Sequence, residues 1–146
     1  MTDVVVERRV LASPEVVWEL VSDAGSWVRW QGSAADIDAV PGGSHRVKVT
    51  GESWVEGRFV EVDPPRRITF TWGFAVEGHP LPAGSTLVEI DLIPDGDATI
   101  VRLTQRAVPP ETPGVGDGWT MYLGRLATVA EGGDPGPDPN LAKARP

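Results

Sequence analysis

The run RRITFTWGFAV, Arg66 to Val76, constrains the fold more than any other part of the chain. Ile68, Phe70, Trp72, Phe74 and Val76 alternate with Thr69, Thr71, Gly73 and Ala75. A period of two is what a strand with one buried face produces. The run begins directly after Pro64-Pro65, and proline has no amide to give to a strand ladder, so the strand before it, Ser53 to Asp63, must stop there. The two strands meet at a hairpin corner. Arg66 and Arg67 beside that corner keep an exposed sheet end from pairing with another molecule.

The alternation recurs on both sides. After a turn at Pro41 to Ser44, HRVKVTG sets His45, Val47 and Val49 against Arg46, Lys48 and Thr50. STLVEIDLI sets Val88, Ile90 and Leu92 against Glu89 and Asp91. The turn pair Asp95-Gly96 then leads into ATIVRLTQRAV, where Val101 and Leu103 oppose Arg102 and Thr104. Glu89 and Asp91 are expected to face Arg102 and Arg106 across strands. A further strand is predicted over Val4 to Leu11 from its β-branched residues.

Helical signals flank these strands. Ser13 as N-cap and Pro14 as first residue predict a helix from Pro14 to Asp23, with Val17, Leu20 and Val21 buried and Trp18 on its flank. AGSWVRWQ reads as a second short helix carrying Trp27 and Trp30. Trp119, Tyr122, Leu123, Leu126, Val129 and Ala130 fall at helical spacing, and Gly132-Gly133 ends that helix. The segment DPGPDPNLAKARP has little to bury. We therefore expect one domain over residues 1–131 and a flexible Pro/Gly-rich tail over 132–146. The order predicts an α+β fold: a curved antiparallel sheet of about six strands wrapped around a long C-terminal helix, with two short helices after the first strand.

At 146 residues and 40% hydrophobic content, a single core is the expectation. A net charge of -8, from 21 acidic and 13 basic residues, argues against nucleic acid and anionic membrane as partners. With no cysteine there is no disulfide, thiolate metal site or cysteine nucleophile, and the N-terminal stretch lacks the pattern of a signal peptide. The chain reads as cytoplasmic. Two distant histidines give no metal-ligand spacing, and no phosphate-cradling glycine loop or nucleophile elbow is present, so no metal or cofactor is expected.

ASPEVVW at Ala12–Trp18, PGG at Pro41–Gly43, GRFVEVDPPRRITFTW at Gly57–Trp72, and GW before the leucine-spaced helix at Gly118–Leu126 together resemble the START-like (SRPBCC) superfamily. That superfamily has the helix-grip fold of birch pollen allergens and polyketide cyclases. The nearest branch is the one named after the activator of the heat-shock-protein-90 ATPase. The resemblance runs in order along nearly the whole chain and implies a cavity between sheet and helix. It extends to one domain, with no room in 146 residues for the second domain of the full co-chaperone.

Six tryptophans against one tyrosine and three phenylalanines supply candidate walls for such a cavity. Sheet parity and the last helix nominate Trp72, Phe74, Trp119, Tyr122 and Leu123, with Trp27 and Trp30 closing one end. The competing reading is plain core packing. On the strand before the prolines, Trp54, Glu56 and Arg58 share parity with Val60 and Val62. Read inward, Glu56 and Arg58 orient a polar group, or Glu56 acts as a general base; read outward, they form a surface ion pair. His45 shares a face with Val47 and Val49 and is a candidate titrating group at the pocket mouth.

Three functions are consistent with this. The first is a binding protein for a small hydrophobic, lipid-like or aromatic molecule. The second is a cyclase- or dehydratase-like enzyme using Glu56, Arg58, His45 and Tyr122. The third is a module that regulates a partner protein, marked by a large exposed apolar patch. An edge strand is also available for homodimer pairing.

Overall fold

A computed structural model describes residues 1–143. Thr2–Val10 forms β1, and the chain then enters α1, Pro14–Ser22. Ser13 Oγ accepts from the Val16 amide at 3.3 Å and Pro14 occupies the first turn, as the sequence predicts. Asp23 caps a single further turn, α2, Ala24–Trp27, by accepting from the Ser26 amide at 2.9 Å. Trp30 lies in the turn beyond it.

Six further strands follow: β2 Ala34–Ile37, β3 Ser44–Thr50, β4 Ser53–Asp63, β5 Arg67–Trp72, β6 Thr86–Asp95 and β7 Ala98–Val108. All seven form one antiparallel sheet in the order β1-β7-β6-β5-β4-β3-β2. The strand beyond the expected six is β2, a four-residue edge piece that sets only Ala35 and Ile37 against the core, too short a run to mark a strand. The corner at Pro64-Pro65 stands where proline chemistry puts it, closed by the Arg66 amide donating to Asp63 O at 2.8 Å.

One irregularity decides which face of β4 is inside. Phe59 pairs with Phe70, but Glu61 pairs with Thr69, so Val60 is an extra residue, 57% exposed. Such a bulge reverses the parity of everything on one side of it. Val55 and Phe59 therefore face the core with Val47, Ile68, Phe70 and Trp72, while Val60 does not. The chain is also pressed close here. A Cβ on Gly57 would sit 1.7 Å from Thr71 O, and one on Gly73 would sit 1.6 Å from Pro82 O. The Arg58 amide is satisfied by Thr71 Oγ1 at 2.9 Å. Bulge and glycines together bend the sheet into a grip.

The gripped element is α3, Val115–Ala130, which buries Trp119, Tyr122, Leu123, Leu126, Ala127 and Val129 and packs chiefly on β1 and α1. Each of the leucines and the valine contributes about 1.5–3 kcal/mol when fully buried. The opposite face of the sheet is charged. Arg67 reaches Glu61 at 3.1 Å, Glu89 at 2.8 Å and Asp91 at 2.8 Å, and Arg106 joins Glu89 at 2.7 Å to Asp3 at 2.9 Å. The expected Glu89–Arg106 pair forms; Arg102 instead turns to Glu7.

The segment expected as a flexible tail over 132–146 lies against the domain as far as Lys143; residues 144–146 lie outside the described residues. Arg125 donates to Trp30 O at 2.9 Å and to the carbonyls of Pro135 and Pro137, each at 3.1 Å. Asp138, 6% exposed, accepts from the Gly32 amide and from the Tyr122 hydroxyl, both at 2.9 Å. A short helix, α4, Pro139–Lys143, then lies against β3. Polar partners hold a segment that has almost no apolar surface to bury, and composition does not reveal them.

Candidate functional site

Between the inner face of the sheet and α3 the side chains leave a cavity of about 130 Å3. Trp72 comes from the end of β5, and Phe74 and Leu81 from the loop after it. Trp119 and Tyr122 come from α3 one turn apart, and Val49 from β3. Trp72 and Trp119 meet at 5.2 Å between ring centroids, and Trp119 and Tyr122 at 6.5 Å. Gly118 also lines the cavity, and a Cβ there would meet nothing within 4 Å. Helix α3 thus leaves an unfilled volume at this turn. The cavity adjoins a surface depression of about 420 Å3, with Phe74, Leu81, Val115 and Asn140 common to both, so it has a mouth.

The polar groups on the walls are few and mostly committed. Trp119 Nε1 donates to Gln105 Oε1 at 2.7 Å, Gln105 Nε2 donates to Thr86 Oγ1 at 3.0 Å, and Thr86 donates onward to Trp72 O at 2.7 Å. The Tyr122 hydroxyl gives its proton to Asp138 and accepts from Asn140 Nδ2 at 2.9 Å. Burial first, then the Asp138 carboxylate beside it, pushes the Tyr122 phenol well above its ordinary value. Trp27 Nε1 donates to Gln31 Oε1 at 2.9 Å, and Gln31 Nε2 has no protein partner among the described residues.

The expected site residues divide. Trp72, Phe74, Trp119 and Tyr122 line the cavity. Trp27, Trp30 and Leu123 are buried in the core behind it, with Trp30 Nε1 tied to Leu20 O at 2.8 Å. Trp54, Glu56 and Arg58 are a correction to the inward reading: the bulge puts them on the outer face. There Glu56 pairs with Arg46 at 3.0 Å, Arg46 covers the Trp54 ring at 4.6 Å, and Arg58 donates to Gly42 O at 3.1 Å. Glu56 and Arg58 border a separate open depression on the outside of the sheet.

His45 is a correction too. It points inward as expected but sits at no mouth. Its ring is completely buried, stacked on Phe70 at 3.9 Å and edged by Trp27 at 4.8 Å and Phe59 at 5.4 Å. Neither ring nitrogen has a partner, and burial lowers its pKa to about 3. It is a neutral imidazole at any physiological pH.

Residues not nominated from sequence complete the walls: Gln31, Val49, Thr50, Leu81, Gln105, Val115 and Asn140, beside Gly118. Gln105 carried a usable signal, since it continues the inward parity of Val101 and Leu103. Gln31 and Asn140 lie in irregular or short segments with no periodicity to read. Among the described residues no group of three or more His, Asp or Glu side chains is placed to hold a metal ion, and no helix is long and apolar enough to cross a membrane.

An antiparallel sheet gripping a C-terminal helix, with an aromatic-walled cavity between them, defines a START-like helix-grip protein. The chain belongs to the family described as Activator of Hsp90 ATPase homolog 1-like protein, whose profile matches residues 11–131. No curated protein matches it. Among solved structures it is similar to DynU16, a protein of the dynemicin biosynthetic locus, with 28% identity and a TM-score of 0.78 over 92% of this chain. The chain spans about half the length of DynU16, 49% of it. It is similar to CalU16 from Micromonospora echinospora, with 26% identity and a TM-score of 0.71 over 89% of this chain and 76% of that one. An Hsp90 activator from Plasmodium falciparum shares the fold, with 22% identity and a TM-score of 0.72 over 90% of this chain and 97% of that one.

Proposed function

We propose that this protein binds a small, largely apolar molecule in the cavity under α3. The observation that carries the reading is a hollow walled by Trp72, Phe74, Leu81, Trp119 and Tyr122 that opens to the surface. An apolar cavity of about 150 Å3 in another protein stays dry and takes up benzene, so a hollow of this size suits one ring, with the rest of a longer molecule lying along the mouth. The likeness to DynU16, which belongs to a biosynthetic locus, favours a small molecule over a protein client. The acid–base reading loses its groups. Glu56 and Arg58 are outside, His45 is sealed behind Trp72, and the Tyr122 proton is held by Asp138.

Gly118→Met tests the proposal. The new side chain has open space to enter and replaces a helix-interior glycine, a change worth about 1 kcal/mol in helix propensity. The expected result is a protein of equal or higher melting temperature that no longer retains small aromatic probes by native mass spectrometry or tryptophan quenching. Unchanged probe binding by a folded Gly118→Met protein would refute the reading.

A further inference from the structure

We infer that Gln31 is the ligand's hydrogen-bond donor, and that the cavity therefore selects an uncharged ring compound bearing a carbonyl oxygen. The inference rests on the binding function proposed above. Its starting point is the orientation of the Gln31 amide. An indole N–H can only donate, so the group 2.9 Å from Trp27 Nε1 is Gln31 Oε1, and Nε2 occupies the other branch. Gln31 is 3% exposed and lines the cavity, yet Nε2 has no protein partner among the described residues. Nor is it sealed in the packing: among the described residues, the fully enclosed side-chain nitrogens without partners are the two of His45. With Gln31 among the walls of the hollow, Nε2 is the group left to donate into it.

Of the other polar groups on the walls, Gln105 and Tyr122 offer no acceptor in its place, while Asn140, whose Nδ2 donates to Tyr122 Oη, keeps its oxygen towards the mouth. Gln105 has used its oxygen on Trp119 and one N–H on Thr86, so what remains to it is also a donor. The Tyr122 proton is committed to Asp138. A buried donor without an acceptor costs about 1–3 kcal/mol, which a ligand acceptor recovers. Charge decides which acceptor. Asp138 accepts from Tyr122, and Arg125, one turn further along α3, is occupied by the carbonyls of Trp30, Pro135 and Pro137. A carboxylate entering this hollow would be desolvated, and no Lys or Arg among the described residues lines it. A ketone or quinone-type carbonyl asks only for the donors present.

Four matched probes separate the possibilities: acetophenone, 1-phenylethanol, ethylbenzene and benzoate. Their affinities are measured by tryptophan fluorescence on the wild-type chain, on Gln31→Glu and on Gln31→Met. Gln31→Glu keeps an oxygen for Trp27 but replaces the donor. The expected result is acetophenone binding about tenfold more tightly than ethylbenzene, with that preference lost in Gln31→Glu while ethylbenzene changes little. On the wild-type protein the Gln31 side-chain 15NH2 resonances move with acetophenone and not equally with ethylbenzene, a readout that stands even if both variants fail to fold.

Equal affinity for acetophenone and ethylbenzene overturns the assignment while leaving the binding function intact. So does a preference that survives in Gln31→Glu, or tighter binding of 1-phenylethanol or benzoate. If none of the four binds, the binding function itself falls and the assignment with it.

Discussion

His45 offers the sharpest test of the packing. Replacing it with leucine, a side chain of similar volume, removes two polar atoms that have no partners and keeps the site filled. Each unsatisfied buried group costs about 1–3 kcal/mol, against about 0.5–1.5 kcal/mol for the lost ring stack on Phe70. His45→Leu is therefore expected to be no less stable than the wild type near neutral pH, unusual for a fully buried position. The acid response is the larger signal. The folded imidazole has its pKa lowered to about 3, whereas in the unfolded chain it titrates at about 6.5, so below that value the unfolded state takes up a proton that the folded state refuses. Stability from this residue is complete above about pH 6.5 and is lost as pH falls towards 3. At roughly 1.4 kcal/mol per unit, the wild type should lose about 3 kcal/mol by pH 4.5 that His45→Leu does not lose. Urea unfolding followed by tryptophan fluorescence at neutral pH and near pH 4.5, compared between the two proteins, measures it. Parallel pH profiles would refute the reasoning, because they would mean that the folded protein can protonate His45 at little cost.

Asp138→Ala removes the acceptor for Tyr122 Oη and the Gly32 amide and should cost about 1–3 kcal/mol in urea unfolding, with faster proteolysis confined to the segment after α3. Tyr122 is the sole tyrosine, so absorbance near 295 nm reports it alone; its phenol should stay protonated well past the usual range. Because the folded pKa is raised, stability is full below the unfolded value of about 10 and falls as pH rises through it, so tyrosinate should appear only with unfolding. A reversible titration at the ordinary value in the folded protein would show that the phenol is not held. Arg58→Ala and Glu56→Gln, on the outer face, should each change stability by less than about 1 kcal/mol and leave probe binding in the cavity unaltered. Loss of binding in either would return them to the site.

The sequence by itself determined the elements wherever local chemistry is sufficient. Pro64-Pro65 had to end β4, Ser13-Pro14 had to begin α1, and the alternation through Phe70 and Trp72 had to give one apolar face. Trp119, Tyr122 and Leu123 had to share one side of a helix. Those periods fix the fold class and the aromatic wall of the cavity, since each is a property of neighbours in the chain.

Tertiary structure alone decided the rest. The bulge at Val60 arises from pairing with β5, and one extra residue sent Glu56 and Arg58 outward against a parity argument that was sound within β4. The cage around His45 is assembled from α2, β4 and β5, so its missing hydrogen-bond partners appear only when those elements meet. Gln31 and Asp138 act through partners four to more than a hundred residues away, Trp27 for one and Gly32 and Tyr122 for the other. A polar group's role is set by what lies within hydrogen-bond reach, and that distance is fixed in space rather than along the chain.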